Sequence, residues 1–163
     1  MALWHLGDNF TSDIVVISGE KVQQKLLLIR RKHEPFKGCW ALPGGFVNSL
    51  TPAGEAFVFA ESHVQAAQRE LLEETGVAVA ETELQLIATY DAWGRDPRAE
   101  GDQRVVTQAF LYRAQAMPEI QAGDDAAEAR WFTLSSVLNG EVALAFDHAD
   151  MVKAASELVA QAL

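Results

Sequence analysis

Between Arg69 and Glu74, six consecutive residues carry one arginine and three glutamates, and Gly76 follows two positions later. On a helix, residues three and four apart share a face, so Glu70, Glu73 and Glu74 converge on one strip of surface. Carboxylates that close repel one another unless a cation lies between them. Their oxygens are the hard ligands that Mg²⁺ and Mn²⁺ prefer, and Mg²⁺ is usually held by one or two carboxylates together with substrate phosphates. Arg69, four residues before Glu73, is spaced to pin that carboxylate. The competing reading is a solvated acidic helix face, the ordinary fate of a charge cluster.

The flanks decide between the two. Arg69-Glu70-Leu71-Leu72-Glu73-Glu74-Thr75-Gly76-Val77 resembles the second half of the Nudix box. Leu42-Pro43-Gly44-Gly45-Phe46-Val47 is similar to the strand and turn that open that box, and Glu61-Ser62 with Gln65-Ala66-Ala67 to its helix entry. The box-like region covers residues 45–77. Fifteen residues separate Gly45 from Glu61, more than the family's short spacing, so residues 48–60 read as an insertion. The insertion contains its own Gly54-Glu55 pair, but only Glu61 stands at the right distance from Arg69.

A chain of 163 residues with 49% hydrophobic and 22% charged residues suits one globular domain, here 1–163. No apolar run is long enough to span a bilayer, and Met1-Ala2-Leu3-Trp4-His5 lacks the pattern of a signal peptide. Cys39 is the only cysteine, which excludes an intrachain disulfide and favours a cytoplasmic setting. A net charge of −10 argues against nucleic acid as a partner, though not against a phosphorylated small molecule screened by divalent ions.

The elements that must position the acids follow from periodicity and punctuation. Residues 13–18, 25–29, 40–42, 84–90, 105–112 and 129–132 read as strands, with a turn forced at Pro43-Gly44-Gly45. A helix from Ser62, a good N-cap, to Thr75 stops at Gly76, with Val64, Ala67, Leu71 and Leu72 as its apolar stripe. A helical turn at 134–138 and a last helix from His148 to Ala160, capped by Asp147, complete the chain. These elements fit an α/β class, and the resemblance implies an α/β/α sandwich with a central mixed β-sheet.

The resemblance assigns roles residue by residue. Glu70, Glu73 and Glu74 are the implied metal ligands, with Glu73 alternatively the ion partner of Arg69, and the Gly45 carbonyl completes the set. The base that takes a proton from attacking water comes in relatives from a late loop. Here that loop is Gly123-Asp124-Asp125-Ala126-Ala127-Glu128, with Asp125 best placed and Glu128 second; Glu74 is the alternative. Arg95-Asp96-Pro97-Arg98 and the segment 105–112 resemble the ADP-ribose branch. There Arg30, Arg95 and Arg98 offer planar forks for phosphate, and Phe36, Trp40 and Trp93 offer rings for a base. His148 carries little weight by itself.

The implied activity is divalent-metal-dependent hydrolysis of a nucleoside diphosphate derivative, ADP-ribose foremost, with Mg²⁺ (or Mn²⁺) as cofactor. Two alternatives remain: a pyrophosphohydrolase that cleans the nucleoside triphosphate pool, and a non-catalytic ADP-ribose sensor. The sensor is disfavoured by the intact acids and by the lack of room for a winged helix before Leu163. Relatives in this branch imply a homodimer, to which Phe57, Val58 and Phe59 of the insertion would contribute a contact or a cover.

Overall fold

The computed structural model describes residues 3–20, 23–123 and 126–162. Its strands are β1 (Asp8–Ser18), β2 (Lys25–Arg31), β3 (Trp40–Ala41), β4 (Gly44–Phe46), β5 (Leu84–Tyr90), β6 (Arg104–Ala114) and β7 (Ala126–Thr133). The helices are α1 (His63–Thr75), α2 (Leu134–Leu138) and α3 (His148–Gln161). The strands form one mixed sheet in the order β3-β2-β1-β6-β5, with β4 also paired to β1 and β7 to β2. Among the described strand pairs, β1 and β6 run parallel and the others are antiparallel.

Alternation along β1 builds the two halves of the core. Ile14 and Val16 point to one face and pack with Leu27 and Phe110 against Ala67 and Leu71 of α1. Val15 and Ile17 point to the other, where Leu26, Leu28, Ala109 and Leu111 meet Met151, Val152 and Ala155 of α3. A sheet apolar on both faces must be covered on both, and the α/β/α sandwich is the result.

β1 and β2 pair only where they leave their hairpin, at Ile17↔Leu26 and Ser18↔Lys25. Beyond that point they part. β4 takes up the free side of β1 at Thr11, Ser12 and Asp13, while β3 borders β2 at Ile29 and Arg30. The strands fork, and the fork opens a cleft at one end of the sheet.

Helix α1 is set by local chemistry at both ends. Ser62 Oγ accepts the Gln65 N–H at 3.1 Å and Gln65 Oε1 accepts the Ser62 N–H at 2.9 Å, a reciprocal capping box. Gly76 ends the helix at φ 77°, donating its N–H to Leu72 O. Leu72 is 52% exposed, so the apolar stripe runs through Ala66, Ala67 and Leu71 instead. β1 begins five residues before its sequence-based start, because buried Asn9, Thr11, Ser12 and Asp13 interrupt the apolar pattern that marks a strand. Gly44 and Gly45 form a strand and not a turn; a Cβ on Gly44 would sit 2.2 Å from Ser12 O, so the close approach of β4 to β1 demands glycine.

Residues 48–60 form a hairpin-like arm. Leu50 N donates to Val58 O and Ala60 N to Asn48 O, and the segment 4–6 ties down its far side through Leu6 N to Glu55 O and Gly54 N to Trp4 O. Phe57 and Phe59 pack on Phe10, at 4.9 and 4.7 Å between ring centroids. No helix among the described residues is long and apolar enough to cross a membrane.

Leu71 is wholly buried between α1 and the sheet. Leu71→Ala is expected to cost about 2–5 kcal/mol, read from the shift in a urea unfolding midpoint.

Candidate active site

The fork between β1 and β2 holds a cavity of about 510 Å³, lined in part by Glu70 and Glu74 of α1, Gly44 and Gly45 of β4, and Arg31, Arg95 and Arg98. That volume suits a ligand of nucleotide size.

Glu74 is 4% exposed, and its Oε1 accepts the Gly44 N–H at 2.7 Å. The Glu70 carboxylate lies so close to Gly45 that a Cβ there would stand 2.6 Å from its carbon. The missing Cβ is the cradle in which that carboxylate sits. Glu73 diverges: its side chain is 51% exposed, it holds Arg69 at 3.3 Å, and it is absent from the cavity lining. Positions 70 and 74 stack one turn apart, whereas 73 falls to the side. Among the described residues no three His, Cys, Asp or Glu side chains form a ready-made metal cage. Two carboxylates beside a glycine backbone still fit a divalent cation of the Mg²⁺ type, which fills its remaining positions with water and substrate oxygens.

Arg69 is the clamp behind these acids. Its guanidinium reaches Glu61 through Nε at 3.1 Å, Glu70 through Nη1 at 2.8 Å, Glu73, and Phe46 O through Nη2 at 3.1 Å. The Glu61 hydrogen bonds lead in raising the Arg69 pKa. Burial pushes the Glu61 carboxyl up, but the Arg69 hydrogen bonds, the Asn48 N–H and the Arg69 charge together outweigh it and hold the group below its ordinary range. Glu61, and not Glu55, is therefore the helix-entry partner, as its spacing implied.

The proposed substrate arginines separate into different roles. Arg30 is exposed and donates Nε to Gly38 O; Arg31 lines the cavity instead. Alternation along β2 accounts for this: Arg31 shares the side of Ile29, which also lines the cavity, and Arg30 takes the other side. Arg95 forks onto Asp147 at 2.8 and 2.6 Å and donates to Thr107 at 2.8 Å, so most of its donors fasten the 91–104 loop to the start of α3. Asp147 accordingly makes no side-chain cap bond to α3. Arg98 is held by Asp96 and lies over Phe46 at 4.8 Å and Phe146 at 5.6 Å. Arg31 lies 4.9 Å from the same Phe146 ring. Burial first, then the nearby Arg98 charge, lowers the Arg31 pKa. Two guanidiniums thus converge on one ring beside the cavity.

Trp40 packs on Phe132 beneath Arg130 and lies outside the cavity lining, as do Phe36, which packs on Phe146, and Trp93, beneath Arg104. Trp4, stacked on Phe46 at 6.0 Å, does line it. Asp125 falls outside the described residues. Glu128 sits on β7 with Arg130 and does not line the cavity. The loop that leads toward Asp125 is stitched to α1 by Gln121 N to Thr75 O and Gly123 N to Glu74 O. Gly123 tolerates no side chain, because a Cβ would overlap Glu73 O.

Sequence reasoning missed Arg31 and Asp13, and it discounted His148. Asp13 and His148 are 7% and 4% exposed on the cavity floor, with His148 Nε2 3.5 Å from Asp13 Oδ1. The polar Asp13 inside an apolar strand was the available signal. Leu42 N–H donates to His148 Nδ1 at 3.0 Å, which places the ring proton on Nε2. Burial raises the Asp13 pKa to about 7 and lowers that of His148 to about 3, so both are neutral when mildly acidic.

A carboxyl with a raised folded-state pKa stabilises the fold fully below its unfolded value of 3.8 and loses that contribution as pH climbs toward 7. Asp13→Asn, which cannot ionise, is expected to melt higher than the parent at pH 8, with the gap closing toward pH 4. Thermal melts across that range check it.

The NUDIX domain model matches residues 9–155. An ADP-ribose pyrophosphatase of Methanocaldococcus jannaschii is 40% identical over 129 residues, 79% of this chain and 64% of that protein. The ADPR responsive transcriptional repressor NtrR of Acinetobacter baylyi is 32% identical over 89% of this chain and 52% of its own length. The chain thus spans about half to two thirds of these relatives. Among solved structures, the NUDIX domain of Shewanella oneidensis NrtR complexed with ADP ribose superposes with a TM-score of 0.76 at 28% identity, covering 92% of this chain and 87% of that one. Fold, box helix and matched length agree: the chain belongs to the Nudix family.

Proposed function

We propose that the cavity hydrolyses the diphosphate of ADP-ribose, releasing AMP and ribose 5-phosphate. The observation that carries this is that Glu70 and Glu74 line the same cleft as Arg31 and Arg98. Acids and guanidiniums brought into one cleft match a substrate whose phosphates must meet metal and cation together. The 40% identical ADP-ribose pyrophosphatase supports the same substrate.

In this reading Glu70, Glu74 and the Gly45 carbonyl hold a divalent cation, Mg²⁺ or Mn²⁺, with Glu73 at its edge or retained by Arg69. The cation supplies Lewis acidity to the phosphoryl oxygens and eases deprotonation of water. Arg31 and Arg98 orient the diphosphate and neutralise charge that builds on the leaving phosphate. Asp125 takes the proton from the attacking water, with Glu74 as the alternative base. Arg95 keeps the loop carrying Arg98 against α3. The reading further takes residues 1–163 as one domain, working in the cytoplasm as a homodimer, with a nucleotide and not nucleic acid as its ligand; the net charge of −10 supports the last point.

A second reading follows from the 32% identical ADPR responsive repressor: the cleft binds ADP-ribose without cleaving it. Incubation of ADP-ribose with Mg²⁺ separates the two, since AMP and ribose 5-phosphate appear only with an enzyme. Pyrophosphate released from triphosphates, with ADP-ribose left intact, would oppose both.

Two variants test the assignments. Glu74→Gln is expected to lower kcat by about 10²-fold or more while the protein still folds. Arg31→Ala is expected to raise KM about tenfold, the scale of a lost charge-assisted hydrogen bond, whereas Arg30→Ala leaves it within about twofold. Equal effects at 30 and 31 would reject the assignment of the cation wall.

A further inference from the structure

The floor of the cavity carries polar residues where the fold calls for apolar ones. On β1, Thr11 and Asp13 continue the face whose next members, Val15 and Ile17, pack in the core under α3. On β6, Thr107 stands two residues before Ala109 and four before Leu111 on that same core face, and it pairs with Thr11 across the strands. Valine or isoleucine at 11, 13 and 107 would extend the core to the end of the sheet. Burying polar groups there costs free energy unless each finds a partner, and such departures from the local rule concentrate at functional positions.

Some of the partners are internal. Thr11 and Thr107 share a hydroxyl hydrogen bond, Arg95 donates to Thr107, and His148 is fixed by the Leu42 N–H. Asp13 differs. Its carboxyl lies over Gly44, so close that a Cβ there would stand 2.4 Å from Oδ1. Among the described residues it meets His148 Nε2 at the long distance of 3.5 Å. It lines the cavity with Thr11 and His148, next to the Glu70 and Glu74 wall. A carboxyl on a rigid strand, with its two oxygens side by side, matches the two adjacent hydroxyls of a sugar ring; dinucleotide-binding folds use an acidic side chain on a ribose hydroxyl in the same way.

We propose that Asp13, supported by Thr11 and His148, hydrogen-bonds the vicinal hydroxyls of a ribose in the substrate and selects for a sugar at that position. The assignment rests on ADP-ribose as the ligand and extends it, because it makes one ribose a recognised group and not a spacer. Two riboses carry this diol, the one attached to adenine and the distal one.

Calorimetric titrations with Ca²⁺ as the divalent ion compare ADP-ribose with two analogues, one lacking the adenosine 2′-hydroxyl and one lacking the distal 2-hydroxyl; turnover with Mg²⁺ is followed separately. One deletion is expected to weaken binding to the parent protein about tenfold or more, the scale of a lost buried hydrogen bond, and so identifies which ribose sits on Asp13. In Asp13→Ala that same deletion is expected to change binding by less than about twofold. Asp13→Asn, which keeps the shape, replaces the alanine variant if that one does not fold, and the penalty should then be reduced. Parent protein that binds both analogues as tightly as ADP-ribose overturns the proposal. So does a penalty that persists undiminished in the variant. Absence of ADP-ribose turnover and binding would instead reject the substrate reading. The diol is then tested with AMP against 2′-deoxy-AMP and ribose 5-phosphate against 2-deoxyribose 5-phosphate, where no preference for the hydroxylated member overturns it.

Discussion

One guanidinium holds this site together. Arg69 reaches Glu61 at the exit of the insertion, Glu70 and Glu73 on its own helix, and the carbonyl of Phe46 on β4. Without a cation among them these carboxylates would repel one another and turn outward. With Arg69 in place, Glu70 is drawn toward Gly45, and β4 is tied to α1 through Phe46. Glu74 adds a second tie by accepting the Gly44 N–H. The acidic wall is therefore assembled before any ligand arrives, and its geometry depends on a charge balance internal to the protein.

The guanidiniums that line the cleft follow a different principle. Phe46 and Phe146 present ring faces to Arg98, and Phe146 also to Arg31, so guanidiniums lie against π-surfaces as well as against carboxylates. Phe146 adopts φ 51° and its neighbour Phe36 φ 60°, backbone conformations uncommon for bulky residues. Such strain survives only where the surroundings enforce it. The Phe36–Phe146 ring contact and the Arg31 Nε bond to Pro35 O are the enforcing contacts at hand.

The parts of this architecture written in local sequence could be read directly. Ser62 and Gly76 bound α1 because capping is a property of a few adjacent residues. The strand at 84–90 and the helical turn at 134–138 were visible in pattern alone. What stayed hidden depends on contacts distant in the chain. Arg31 and not Arg30 enters the cleft, because the cleft opens on the Ile29 side of β2, which only the packing of distant elements decides. Asp147 reads as a helix cap, yet its carboxylate is spent on Arg95. His148 looks incidental until Leu42 and Asp13 close around it. Glu73 matches the family motif as well as its neighbours do, but one helical step rotates it out of the cleft.

The arm at 48–60 has a mechanical consequence. Its stem is zipped where it leaves and re-enters the domain, by Ala60 N to Asn48 O, and Asn48 N in turn donates to Glu61. The start of the box helix is fixed by that stem and not by the length of chain beyond it. Residues can be added or removed at the tip with little displacement of Glu61, as a loop of rope can be lengthened past its knot, and this is how a long excursion still delivers Glu61 to Arg69.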